Sequence, residues 1–88
     1  MQGNKYHRAI EKLGVLIAEG WPNGSSHVRA STLRAVLLKA NMRLTYMDLA
    51  MIIELLGVAH PTRSARDYKA SDFCAAVRTY LDDPPNGQ

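Results

Sequence analysis

The stretch Thr45 to Leu56, TYMDLAMIIELL, is the most apolar run in the chain, and its reading decides the fold. At about 100° per residue, Tyr46, Leu49, Ile52, Ile53 and Leu56 fall on one broad arc, the i, i+3, i+4, i+7 spacing of a helix facing a core. Met47, Met51 and Leu55 form a second, narrower stripe, with Asp48 and Glu54 as the only charges beside it. A helix apolar on two sides is either central in its domain or half of an interface. Thr45-x-x-Asp48 matches a capping box with Asp in place of the usual Glu, and Gly57 supplies a stop.

Working outward, Lys5 to Glu19 reads as a first helix behind a loose lead, Met1 to Asn4. Tyr6, Ile10, Leu13 and Ile17 repeat along one face with Ala9 and Leu16 beside them, while Lys5, Arg8, Glu11, Lys12 and Glu19 take the wet side. Gly14, inside this helix, costs about 1 kcal/mol against Ala; it marks either the close approach of a neighbouring helix or a weak point. Gly20 ends the helix, and WPNGSS, residues 21–26, is the strongest break in the chain. Trp21 is expected to fold back onto the core near the end of the first helix, the alternative being a partner-binding anchor.

Ser31 or Thr32 is expected to cap a second helix running to Ala40, with Leu33, Val36, Leu37 and Ala40 on its stripe and Arg34 and Lys39 off it. Residues 41–44 connect it to the Thr45 helix. Beyond Gly57, Val58 and Ala59 are expected to pack past the cap. Residues 60–69, HPTRSARDYK, read either as a short helix opened by Pro61 and carrying Arg63, Arg66 and Tyr68, or as an ordered loop. Ser71 is expected to cap a last helix with Asp72 in its first turn and Phe73, Ala76, Val77 and Tyr80 on its stripe. Asp82-Asp83-Pro84-Pro85 ends it, and residues 83–88 form a loose tail. No internal repeat stands out, and no β-branched alternation competes with the helices. The expected fold is all-α: one compact domain of four main helices, with or without a fifth short turn.

Composition narrows the function classes. Hydrophobic residues at 47% and charged residues at 22% are those of an ordinary globular protein. The lone cysteine, Cys74, cannot form an internal disulfide and no basic start leads into an apolar segment, so a reducing, cytoplasmic setting is expected. No apolar run approaches the roughly 18 residues of a membrane span. His7, His27 and His60 share no metal-ligand spacing with one another or with Cys74, which reads as a small, partly buried residue. The chain has no Gly-rich phosphate loop, no nucleophile elbow and no carboxylate pair in apolar surroundings. Neither a metal, a cofactor, a small-molecule substrate nor an enzymatic role is expected.

Two non-catalytic readings remain. Net charge is +3, and its distribution is uneven: residues 20–47 carry Arg29, Arg34, Lys39 and Arg43 with no acid, and residues 60–70 carry Arg63, Arg66 and Lys69 against Asp67. Such a patch meets phosphates, an acidic protein surface or water. A short helix joined by a tight turn to Asp48-Leu49-Ala50, then Leu55-Leu56-Gly57-Val58 and an arginine-bearing segment, is similar to the middle of small phage and bacterial repressor domains. The resemblance covers about a third of the chain and implies a helix-turn-helix-like DNA-binding regulator. In it Arg63 or Arg66 would read bases and Arg29, Arg34, Lys39, Arg43 and Lys69 would meet phosphates. The sequence departs from that motif four residues before Gly57, where Ile53 stands instead of a small residue. The other reading is a protein-interaction module, a homodimer, inhibitor or adaptor, that docks through Met47, Met51 and Leu55, since methionine adapts to irregular partner surfaces.

Overall fold

The structure, a computed structural model, describes residues 2–58 and 67–83, with side chains from Lys5 onward. In chain order it contains α1 (Gln2–Ala18), β1 (His27–Arg29), α2 (Ala30–Lys39), α3 (Tyr46–Leu56), β2 (Asp67–Lys69) and α4 (Ala70–Asp82). The protein is mostly helical, as expected, and the lead expected to be loose belongs to α1 from Gln2 onward. The all-α expectation needs one correction. Strands β1 and β2 form a small antiparallel ribbon with His27 opposite Lys69, Val28 opposite Tyr68 and Arg29 opposite Asp67. Tyr68 is therefore a buried strand residue rather than part of a short helix, while residues 59–66, including Pro61, Arg63 and Arg66, lie outside the described residues.

The ribbon exposes a repeat. Val28-Arg29-Ala30-Ser31-x-Leu33-x-Ala35-x-Leu37 and Tyr68-Lys69-Ala70-Ser71-x-Phe73-x-Ala75-x-Val77 run in step, and Val28, Ala30, Leu33, Leu37, Tyr68, Ala70, Phe73 and Val77 are all buried. Because Val28 and Tyr68 face each other across antiparallel strands, the two strand–helix units are related by an approximate two-fold axis through the ribbon. In both units the chain arrives extended and turns straight into the helix. Arg29 and Lys69 thus occupy the N-cap positions and make no side-chain cap bond, whereas Ser31 and Thr32, the two candidates for the cap of α2, and Ser71, expected to cap α4, sit inside the first turns.

Helix ends follow local chemistry. Helix α1 closes in a Schellman arrangement: the Trp21 amide donates to the Leu16 carbonyl and the Gly20 amide to that of Ile17, with Gly20 at φ 108°. Asn41 takes the same role after α2 at φ 66°, with Met42 donating to Leu37 and Asn41 to Leu38. Helix α3 stops at Gly57, φ 74°, as expected. Trp21 packs edge-on to Phe73, ring centroids 6.0 Å apart, so it closes the core beside the end of α1.

Ile10 and Leu13 of α1, Leu33 and Leu37 of α2, Leu49 and Ile52 of α3, and Phe73 and Val77 of α4 meet in a single core beneath the ribbon. Helix α1 packs most extensively on α4. They come close at Gly14, where an added Cβ would lie 2.5 Å from Leu81 Cδ1, so the close-approach reading of this glycine holds. Among the described residues no helix is long and apolar enough to cross a membrane.

Candidate functional site

The two faces of α3 meet different surroundings. Leu49, Ile52 and Ile53 are buried against the other helices, yet Met47 is 73% exposed, Met51 43% and Leu55 41%. These three stand four residues apart, one turn above another, and form a continuous apolar ridge. No described helix covers it. Tyr46, expected on the core arc, is instead 44% exposed, because the first residue of α3 lies at the edge of that arc; its ring lies under the Arg34 guanidinium at 5.2 Å. Leu38 on α2 and Val15 on α1 are further exposed apolar side chains.

Asp48 was expected to be a charge flanking the ridge, and it is buried. The capping box forms in full: the Asp48 amide donates to Thr45 Oγ1 at 3.1 Å and the Thr45 amide to Asp48 Oδ2 at 3.0 Å. The other carboxylate oxygen accepts from the Tyr6 hydroxyl at 3.1 Å and meets Lys5 Nζ at 3.3 Å, so α1 and α3 are pinned at one end. The Thr45 amide, aided by Lys5 and Tyr6, holds the Asp48 carboxyl below the ordinary carboxylate range, against burial, which works the other way. Burial and the bond to Asp48 push the Tyr6 phenol up. Of the ridge's two neighbouring charges, Glu54 alone faces solvent.

The basic residues separate into groups. Arg29 and Lys69 are exposed in the ribbon, where Arg29 Nε lies 3.8 Å from Asp67. Arg34 donates from Nε to the Leu44 carbonyl at 3.0 Å, bracing the α2–α3 connection. Lys39 and Arg43 lie exposed near that connection, at the opposite end of α2 from Arg29, about 15 Å away at 1.5 Å of rise per residue. Arg63 and Arg66 lie outside the described residues.

His7 contacts Tyr80 and Glu11, His27 contacts Ser26, and among the described residues no three His, Cys, Asp or Glu side chains come together as metal ligands. A shallow groove of about 550 Å³ between α1 and α4 is lined by Gly14, Val15, Cys74, Val77, Arg78 and Leu81. Burial pushes the Cys74 thiol up, with Arg78 only partly countering, so the sulfur in this groove is not an activated nucleophile. Comparisons with protein families, curated proteins and solved structures return no match.

Proposed function

We propose that the protein is a non-catalytic interaction module that docks a protein partner through the outer face of α3. One observation carries the reading: Met47, Met51 and Leu55 leave a contiguous exposed apolar ridge on a helix whose other face buries Leu49, Ile52 and Ile53 in the core. Flexible thioether side chains beside a charged Glu54 are the make-up of an adaptable interface with a polar rim.

The plan of the chain is consistent with this role. Two units, each with a helix, a short strand and a second helix and joined through an antiparallel ribbon, are also the plan of paired EF-hands, a fold-level analogy rather than an assignment of function. The calcium chemistry of that motif has little support here. Residues 19–29 contain a single acid, Glu19, and residues 57–69 a single acid, Asp67, where a calcium loop places several carboxylates. What the analogy leaves is a scaffold that presents helix faces.

The test is photo-crosslinking from residues 47, 51 and 55, each replaced by a photoreactive amino acid, in the cell of origin, with exposed Arg8 as control. Protein adducts from the ridge and none from position 8 are expected. If no adduct forms from any of the three positions, this reading ends.

A second reading, DNA binding, is favoured by the exposed Arg29 and Lys69 beside His27 on the ribbon. The wide separation of Lys39 and Arg43 from that pair counts against a single footprint. A duplex titration at two salt concentrations decides it: phosphate contacts give binding that weakens steeply with salt, and binding that stays millimolar at low salt removes the reading.

A further inference from the structure

Resting on the docking reading, we infer that the partner of this ridge is a second copy of the chain, bound through antiparallel packing of α3 on α3 about a two-fold axis at Met51. Two features of the ridge point to self-association and to that orientation. Its apolar side chains are symmetric about the centre: Met51 stands midway, with Met47 one turn before it and Leu55 one turn after. An antiparallel crossing therefore sets Met51 against Met51 and Met47 against Leu55 of the second copy, large flexible groups against each other with no polar atom in the seam.

The charges beside the ridge are arranged to match. At about 100° per residue, Tyr46 and Glu54 lie on the same flank of the stripe, eight residues or roughly 12 Å apart along the axis. Tyr46 carries the exposed Arg34 guanidinium on its ring, so this flank is positive at the start of the helix and negative near its end. Antiparallel packing brings Glu54 of each copy toward Tyr46 and Arg34 of the other, giving two equivalent opposite-charge contacts. A parallel pairing would carry this flank to the side away from its own counterpart and leave Glu54 without the second copy's Arg34. The opposite flank of the ridge turns toward Asp48, which is buried and already paired with the half-exposed Lys5 ammonium and bonded to Tyr6.

The area is small. A helix of 11 residues is about 16 Å long, and three ridge side chains with Tyr46 at the rim fall below the size of a permanent interface. The dimer should be reversible and weaker at high salt.

Sedimentation equilibrium of the purified chain up to about 1 mM tests association: the apparent mass should rise from 9.8 kDa toward twice that value, and Met51→Glu should hold it at the monomer with an unchanged circular dichroism spectrum. Register is tested by oxidation in a Cys74→Ser background. Met51→Cys should give a disulfide-linked dimer, and an equimolar mixture of Met47→Cys and Leu55→Cys should link far more than either alone. Glu54→Arg should weaken association at least several-fold and abolish its salt dependence. A chain that stays monomeric throughout the range, or Met47→Cys linking to itself as readily as in the mixture, overturns the inference. A monomer whose ridge still crosslinks to a foreign protein in cells overturns self-association alone and leaves the docking reading, while absence of any adduct ends both.

Discussion

The inner and outer faces of α3 are almost equally apolar in sequence and opposite in fate. Leu49, Ile52 and Ile53 are packed beneath α1, α2 and α4, while Met47, Met51 and Leu55 stand in water on the same 11 residues. The pattern of a helix tells which side chains share a face; it does not tell which faces have neighbours. The residue types do differ: branched aliphatics, stiff and well fitted to a unique packing, line the inner face, and flexible methionine dominates the outer one.

The sharpest way to break this contrast is to truncate one residue on each side. Ile52→Ala should cost about 2 to 4 kcal/mol in urea unfolding, because a fully buried branched side chain leaves a cavity among rigid neighbours. Met51→Ala, measured at concentrations that keep the chain monomeric, should change stability by less than about 0.5 kcal/mol. Equal losses at the two positions would mean that the outer face is covered.

Next in size is the cap that holds α3 in place. Thr45→Ala removes the acceptor for the Asp48 amide and should cost about 1 kcal/mol. The partner carboxylate gives the same cap a pH signature. Asp48 has its folded pKa depressed, so its contribution is present above the ordinary carboxylate pKa and is lost as pH falls through the depressed value. Acid unfolding should therefore flatten at its low end in Asp48→Asn relative to the native chain. An identical pH profile in the two proteins would show that the Thr45 amide bond to Asp48, with the Lys5 and Tyr6 contacts that support it, is not formed in solution.

Much of α3 was readable from sequence because its determinants are local: a capping box within four residues, a glycine stop, a repeating arc. The ribbon was not. His27-Val28-Arg29 and Asp67-Tyr68-Lys69 each hold a single buried apolar residue, too little for an alternation signal, and they become strands only because each finds the other 40 residues away. Once the ribbon exists, it fixes how the chain enters α2 and α4, which is why the serine caps read from sequence do not form. Asp48 escaped for the same reason. Its burial depends on Tyr6, 42 residues distant, which nothing near Asp48 announces. Of the residues read as binding, Met47, Met51 and Leu55 come together on one surface, and the basic residues that can be placed do not, since helix α2 carries Arg29 and Lys39 to opposite ends.

The smallest expected effect concerns the other helix pairing, α1 on α4, and it sharpens what separates a close contact from a rigid one. Gly14→Ala gains about 1 kcal/mol of helix propensity but places a methyl against Leu81 Cδ1. That atom is the tip of a flexible side chain, only half-buried, beside an open groove into which it can turn. Rotation of Leu81 should absorb most of the crowding, leaving the unfolding free energy within about 0.5 kcal/mol of the native chain. A loss greater than about 2 kcal/mol would show instead that Leu81 is locked in place and that α1 and α4 meet with the same rigidity as the inner face of α3.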